Sequence, residues 1–235
     1  MRCRHCLSTN TVKRGKRRQR QQYRCGKCKR HFLERYLIRR MNPCRDAQLI
    51  RLHCGGMGTR AIAAEMGISH TCVMKTKLRL SAAVPEPELD PGRSYQVDEI
   101  ATFVAWKKKP GRKPGKKNQK DEWYVAHAID AKTGRHAGFA CGKRTKKTLG
   151  GLTGRLLASG PKKIYTDGLP IYKYLIPKKL HTVFARCTNR IERLNLTLRT
   201  HIKRLNRKTL CFTRSRVMLD ADLKLFFRAR DLSFK

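Results

Sequence analysis

Three carboxylates stand out because each ends or flanks an apolar run, where an unpaired acid is energetically costly. Asp98 closes the run that begins at Tyr95, and Asp167 follows the run that begins at Lys163. Glu192 lies in an arginine-rich segment further along the chain. Two strand-borne aspartates and a helix-borne glutamate suit a two-metal phosphoryl-transfer site, because Mg²⁺ and Mn²⁺ prefer carboxylate oxygens. The pattern therefore predicts metal-dependent chemistry on phosphodiesters.

The segment that carries Glu192 is predicted to be a helix. Ile191, Leu194 and Leu198 stand at i, i+3 and i+7, which places them on one apolar face. Glu192 stands on the flank of that face among several arginines. A surface ion pair is therefore the alternative interpretation of this glutamate.

A second group of residues that can do chemistry is formed by two Cys-x-x-Cys pairs separated by residues 7–24. The four cysteines are Cys3, Cys6, Cys25 and Cys28. Their spacing is typical of a tetrahedral four-thiolate zinc site, and it predicts a zinc ribbon over residues 1–42. His5 and His31 are alternative ligands, and reduced thiols in an ordinary basic segment are the alternative to a metal site.

The charge balance of the chain limits the kinds of molecule that it can bind. The chain has 56 Lys and Arg residues against 16 Asp and Glu residues, a formal net charge of +40. This excess is too large for an enzyme of neutral substrates and indicates a polyanion, for which nucleic acid is the natural candidate. A membrane surface is the alternative, but no basic amphipathic helix or lipidation signal is present.

The same sequence shows no signal peptide and no apolar run near the roughly 20 residues that a membrane span requires. Ten cysteines in such a chain favour metal binding over disulfides. We therefore expect a cytoplasmic protein without a membrane partner.

Residues 43–81 are predicted to form a helix-turn-helix DNA-binding region. Ala63, Gly67 and Val73 supply a small residue where the helices cross, a glycine turn and an apolar anchor. A generic helical hairpin is the alternative. If the prediction is right, the side chains that face the major groove or its phosphates are His70, Thr71, Met74, Lys75 and Arg79.

Residues 82–94 contain three prolines and three acids and are interpreted as a linker. Residues 95–230 then show three strands in a meander, a helix, a fourth and a fifth strand, and two helices. This order is typical of an RNase H-like α/β fold with a mixed five-stranded sheet and flanking helices. The first and fourth strands are neighbours in that fold, so Asp98 and Asp167 would lie side by side.

A basic loop is predicted between the first two strands of this sheet. Lys107 to Lys120 contains eight Lys and Arg residues and no acid. We expect Lys107, Lys108 and Lys109 to hold the DNA backbone in a salt-dependent way. Whether the loop enters the minor groove or is only a solvated tip stays open.

The chain resembles transposases of the insertion sequence 1 family over nearly its whole length. The resemblance includes the four-cysteine segment, the helix-turn-helix and the Asp98-Glu99 strand. Its most specific stretches run from Tyr165 to Tyr172, from Arg190 to Arg199 and from Arg204 to Ser215. The Lys107–Lys120 loop is longer and more basic than that resemblance would suggest.

The resemblance implies a DDE-type catalytic domain in which Asp98, Asp167 and Glu192 form the triad. It also implies a fourth acid, for which Asp220 stands at the matching place and Asp222 is the alternative. Arg199 matches a basic residue two turns after the glutamate. The cysteine module and the helix-turn-helix would recognise terminal inverted repeats.

The resemblance thus implies a prokaryotic, nucleoid-associated transposase that binds transposon ends and target DNA as double strands, as a homodimer or higher oligomer. Zn²⁺ would be structural and Mg²⁺ or Mn²⁺ catalytic. Two other classes stay open. A zinc-ribbon and helix-turn-helix transcription regulator would leave the carboxylates unexplained, and a nuclease of the same fold would cleave DNA without joining it.

Overall fold

The computed structural model describes residues 1–34, 43–104, 122–183, 188–206, 211 and 213–232. The chain divides into two compact units, residues 1–42 and 43–235. Lys107, Lys108 and Lys109 of the predicted basic loop lie outside the described residues. Among the helices that are described, none has the length and apolar character needed to cross a membrane.

The first unit is a small antiparallel sheet with very little core. Its strands are β1 (Thr11–Arg17), β2 (Arg20–Cys25) and β3 (His31–Leu33), in the order β1-β2-β3. Tyr23 and Phe32 stack with ring centroids 5.6 Å apart and pack with the buried Cys3 and Cys25. So few buried side chains give little apolar stabilisation, which is why a metal ion would matter for folding here.

The second unit combines helices with a larger sheet. Its helices are α1 (Pro43–Cys54), α2 (Thr59–Glu65), α3 (His70–Ala82), α4 (Lys146–Ala158), α5 (Tyr172–Leu175), α6 (Asn189–His201) and α7 (Arg216–Leu232), with a 3₁₀ turn at Lys203–Leu205. Its strands are β4 (Ser94–Phe103), β5 (Glu122–Asp130), β6 (His136–Gly142), β7 (Lys163–Tyr165) and β8 (His181–Thr182).

The sheet of this unit is mixed and five-stranded, with the order β6-β5-β4-β7-β8. β4, β5 and β6 form an antiparallel meander, whereas β7 and β8 are parallel to β4 and to each other. This confirms the predicted mixed sheet with flanking helices and the adjacency of its first and fourth strands. The fifth strand was predicted over residues 180–185, and the structure has it at His181–Thr182.

Both faces of the central strand β4 are covered, which makes the sheet the middle of three layers. Ile100 belongs to an apolar cluster with residues of α6 and α7, such as Leu194 and Leu223. Val97 points to the other face and packs in a cluster with α4, for example with Leu152. Because strand side chains alternate between faces, Asp98 shares the face of α6 and α7.

Helices α1 and α3 are held against α7 by a buried polar cluster. Lys77 Nζ lies 3.0 Å from Asp222 Oδ1, and both side chains are only 2% exposed. Arg204 Nε lies 2.9 Å from Asp222 Oδ2. His53 donates from Nε2 to the carbonyl of Asp222 at 3.0 Å, and its Nδ1 accepts from Lys77 at 3.0 Å. The helical region and the sheet therefore form one continuous body.

Candidate functional site

The parallel pairing of β4 with β7 aligns the two aspartates. Gln96 is the partner of Tyr165 in that register. Asp98 stands two positions further along β4, and Asp167 stands two positions beyond Tyr165, past the end of β7, so extending the register would set these carboxylates side by side. Gly168 follows with φ +87°, a conformation that glycine adopts without steric cost, and it turns the chain away from the sheet.

Helix α6 is tied to the same stretch of β4 by two hydrogen bonds. The backbone N–H of Ile191 donates to Oε1 of Gln96 at 3.0 Å. The side-chain amide of Asn195 donates to Oδ2 of Asp98 at 2.5 Å. Glu192 stands three residues before Asn195, hence on the same side of the helix. The helix therefore presents Glu192 one turn from the point where it contacts Asp98.

Asn195 also contacts a buried histidine on the neighbouring strand. Its Oδ1 lies 2.5 Å from Nε2 of His127, which is fully buried. Because the Asn195 amide donates to a carboxylate, its oxygen must accept, so His127 carries its proton on Nε2. Burial lowers the pKa of His127 to about 4, which keeps the ring neutral. A chain of hydrogen bonds thus fixes the orientation of Asp98.

The environment of Asp98 disfavours its charged form. Burial is the largest cause, and the charges of Asp167 and Glu99 add to it. The backbone N–H of Glu99, which donates to Oδ1 of Asp98 at 2.7 Å, and the Asn195 amide act in the opposite direction. The net effect raises the pKa of Asp98 to about 6. A nearby cation would offset this cost, because opposite charge favours the ionised carboxylate.

Asp167 and Glu192 are exposed, and each accepts a hydrogen bond from a residue nearby in the sequence. Oδ1 of Asp167 accepts from the backbone N–H of Leu169 at 3.1 Å, and Oε1 of Glu192 accepts from the hydroxyl of Thr188 at 2.7 Å. Within the described ranges, the three carboxylates do not form a group whose ligand atoms all lie within 4.8 Å of one another. Their donor chemistry fits Mg²⁺ or Mn²⁺, and the two exposed side chains are open to solvent and substrate.

A fourth carboxylate, Glu99, lies on the opposite face of β4 and was missed by sequence reasoning as a site residue. Its side chain is fully buried, and Oε2 accepts from Nε and Nη2 of Arg144 at 3.0 and 2.6 Å. The hydroxyl of Tyr172 donates to its Oε1. Glu99 therefore links β4 to the start of α4 and to α5, the helix that follows Asp167.

Asn195 was also missed, although the sequence contains a signal for it. It stands four residues after Ile191, on the apolar face, and is buried. A polar residue at a core position must find a hydrogen-bond partner. That partner is the carboxylate of Asp98.

The two candidates for a fourth acid occupy different environments. Asp222 is 1% exposed, and both of its carboxylate oxygens accept from cations. Asp220 is partly exposed, with Oδ2 3.6 Å from Nε of Arg216, and it hydrogen-bonds with Cys141 on the edge strand β6. Two strand spacings, roughly 10 Å, separate β6 from β4. Arg199 is partly buried on α6.

The four predicted zinc ligands converge in the first unit. All four sulfur atoms lie within 4.8 Å of one another. Cys3 and Cys28 have their Sγ atoms 3.6 Å apart, and those of Cys6 and Cys25 are 3.5 Å apart. A tetrahedral site with Zn–S bonds of about 2.3 Å needs sulfurs about 3.8 Å apart, so the cluster fits zinc. The backbone N–H of Cys28 donates to Sγ of Cys25. This hydrogen bond is the largest of the causes that lower the pKa of the Cys25 thiol to about 6.

The helix predicted to contact DNA is α3. Ser69 caps it by accepting the backbone N–H of Cys72 at 3.1 Å, and Gly67 makes the preceding turn with φ +61°. Val73 is buried on the inner face of this helix. Met74 is half-buried, and the other predicted contact residues are exposed: His70, Thr71, Lys75 and Arg79. Thr71, Lys75 and Arg79 recur every four residues, so they share one face of the helix.

Comparison with known proteins places these observations in a family. A family model described as IS1 transposase matches residues 111–231, just over half of the chain. Insertion element IS1 4 protein InsB of Escherichia coli (strain K12) is 46% identical over 74 residues, covering 32% of this chain and 44% of that protein. Insertion element IS1 protein InsB of Shigella sonnei is 39% identical over 92 residues, covering 39% of this chain and 70% of that protein. The chain thus spans less than half of the first relative's length.

Solved structures are similar only at a low level. A chain of the simian T-cell lymphotropic virus intasome in complex with PP2A regulatory subunit B56 gamma has a TM-score of 0.37 at 17% identity, covering 74% of this chain and 66% of that one. A pre-cleavage Mos1 transpososome gives a TM-score of 0.28 at 12% identity, covering 85% and 82%. These similarities are too weak to support an inference. The family match and the Shigella relative are sufficient, and they show that this chain belongs to the IS1 transposase family.

Proposed function

We propose that this chain is a DDE-type transposase that cleaves DNA at the ends of its element and joins those ends to target DNA. Asp98, Asp167 and Glu192 are its catalytic carboxylates. The observation that carries the proposal is the placement of Asp98: parallel pairing aligns it with Asp167, and Asn195 ties it to the helix that presents Glu192. Membership of the IS1 transposase family supports the same conclusion.

The residues around Asp98 orient it for metal binding. The backbone N–H of Glu99 and the amide of Asn195 each hold one of its oxygens, which fixes the plane of the carboxylate. Asp98, Asp167 and Glu192 would hold Mg²⁺ or Mn²⁺. When bound, these ions activate the attacking oxygen and neutralise the leaving oxygen of an in-line displacement. The exposed Asp167 and Glu192 leave the site open to a DNA strand.

Recognition of the element's ends is assigned to α3 and the cysteine module. His70, Thr71, Lys75 and Arg79 form an exposed face on a capped helix, as a recognition helix requires. The first unit adds a dense positive charge that would hold phosphates without regard to sequence. Structural zinc, held by the four cysteines, would keep this module folded.

The test uses a labelled duplex made from the DNA that flanks the gene for this chain, together with an unrelated target duplex. The proposal predicts cleavage with Mg²⁺ or Mn²⁺ and a joined product when target is present. Cleavage without joining would identify a nuclease of the same fold. Binding without cleavage under these conditions would identify a transcription regulator.

A further inference from the structure

The segment that carries Asp167 is strongly basic. Between Ala131 and Ile191 the sequence contains only one acid, Asp167 itself. The exposed cations at the start of α4 and on α5 are Lys143, Arg144, Lys146, Lys147 and Lys173. A catalytic carboxylate inside such a surface faces a region that attracts phosphate.

One of these cations is held in a fixed position. Arg144 donates through Nε and Nη2 to the fully buried Glu99, at 3.0 and 2.6 Å. Its guanidinium carbon also lies 4.7 Å from the centre of the Tyr124 ring. The side chain nevertheless stays 37% exposed. A guanidinium fixed in this way is pre-organised to bind a phosphate, because little side-chain freedom remains to be lost.

Arg144 and Asp167 are close enough to interact electrostatically. Burial lowers the pKa of Arg144, but the hydrogen bonds and the charge of Glu99 outweigh burial and raise it. The charge of Asp167 adds to this rise. The fixed cation is therefore within electrostatic range of Asp167.

An exposed aromatic ring lies against the same surface. Tyr174 is 74% exposed, and Nζ of Lys146 lies 4.3 Å from the centre of its ring. Its helix, α5, is anchored to β4 because Tyr172 donates to Glu99. An open aromatic ring next to lysine and arginine is the combination with which proteins bind unpaired nucleic-acid strands, since the ring stacks on a base and the cations hold phosphates.

We propose that Arg144, Lys146 and Tyr174 form a binding platform for a single strand of DNA on the α4 face of the sheet, on the side of Asp167, with one unpaired base stacked on Tyr174. This inference rests on the proposed function and adds the substrate feature that the site recognises. A fully paired duplex could not place a base on Tyr174, because its bases already stack on one another. The platform therefore favours DNA whose strands are separated near the cleavage position.

The test measures binding of the full zinc-loaded chain by fluorescence anisotropy, without added Mg²⁺ or Mn²⁺. Three probes share one duplex: one is fully paired, one carries a single-stranded tail, and one carries an abasic tail with the same phosphates. Tyr174→Ala should weaken binding of the tailed probe by about five- to hundredfold and leave the abasic and paired probes unchanged. Tyr174→Phe keeps the ring and should bind like the wild type.

Lys146→Ala separates charge from stacking. It should weaken binding of both tailed probes, because the abasic tail retains its phosphates. The matched control is Lys162→Ala, which removes the same charge from an exposed lysine. Lys162 comes just before the start of β7, whereas Asp167 follows the end of that strand, so the two residues are at opposite ends of β7. This control should leave the preference for tailed over paired DNA unchanged.

Two results would overturn the platform: a wild-type chain without preference for the tailed probe, or a Tyr174→Ala variant that binds it as the wild type does. Because binding is measured without the catalytic metal, it does not depend on cleavage. If the wild type cleaves and joins DNA and Tyr174→Ala binds the tailed probe normally, the platform is refuted and the proposed function is not. If the chain never cleaves DNA but prefers the tailed probe and needs Tyr174 for that preference, the proposed catalytic function is wrong and the platform is supported.

Discussion

Asp222 is the centre of the buried charge cluster that joins α1 and α3 to α7, and replacing it tests this joint. Asp222→Asn keeps the shape of the side chain and removes its charge. Lys77, which is 2% exposed, then loses an anion at 3.0 Å, and Arg204 loses one at 2.9 Å. Removing one member of a buried ion pair costs about 3–5 kcal/mol, because the remaining charge is left without compensation.

The matched control is Asp220→Asn, two residues earlier on the same helix. Asp220 is 32% exposed and lies 3.6 Å from Arg216, so the loss of this surface pair should cost less than about 1 kcal/mol. For a unit of this size the Asp222 variant should lower Tm by roughly 6–20 °C, and the control by only about 4 °C or less.

The assay is urea unfolding of the full zinc-loaded chain, followed by the fluorescence of Trp123 on β5, with thermal unfolding in parallel. The double variant Lys77→Met with Asp222→Asn should lose less free energy of unfolding than the sum of the two single variants, because the pair is removed together. Equal stability of Asp222→Asn and Asp220→Asn would refute the reasoning that this cluster holds the helical region.

Three further predictions follow from the site and the first unit. Replacing Cys25 and Cys28 by Ser should release the zinc and unfold the first unit while the sheet stays intact, as metal analysis and circular dichroism would show. Burial lowers the pKa of His127 from 6.5 to about 4, so the unfolded chain binds this proton first as the pH falls. His127 should therefore contribute a loss of about 3 kcal/mol to the change in the free energy of unfolding between pH 6.5 and 4, and His127→Gln should remove this contribution in urea titrations. Lys75→Ala should weaken binding of the element's own end far more than binding of an unrelated duplex in a competition assay, whereas equal weakening would assign Lys75 to phosphate contacts.

The sequence predicts that Asp98 and Asp167 belong to neighbouring strands because local and topological signals agree. An acid at the end of each apolar run marks Asp98 and Asp167, and the order of elements predicts that their strands are neighbours. The structure pairs β4 with β7 and so confirms this adjacency. The four cysteines could also be predicted as metal ligands from the sequence, because the spacing of metal ligands is a local property of the chain.

Other residues could be assigned only from the fold. Asp98 and Glu99 are adjacent acids, but strand alternation sends them to opposite faces, and what covers each face depends on distant elements. The choice between Asp220 and Asp222 is similar, because both stand in one helix and the cations that neutralise Asp222 come from α3 and the 3₁₀ turn. These contacts join residues far apart in the sequence, where periodicity carries no information.

The most direct test of the central claim is cleavage of the labelled end duplex by Asp98→Asn, Asp167→Asn and Glu192→Gln with Mg²⁺ or Mn²⁺. Each substitution keeps the shape and removes the charge that would hold the metal, so each should abolish cleavage and joining while affinity for the duplex stays nearly unchanged. The control is Asp130→Asn. Oδ1 of Asp130 accepts N–H groups of its own turn at 2.7 Å, which an amide oxygen can also do, and Oδ2 lies 3.7 Å from Nε of Arg93, which is 38% exposed, so losing this ion pair should cost little. We expect the Asp130→Asn control to cleave and the three other variants not to cleave. Wild-type cleavage by Glu192→Gln together with an inactive Asp130→Asn would contradict this expectation.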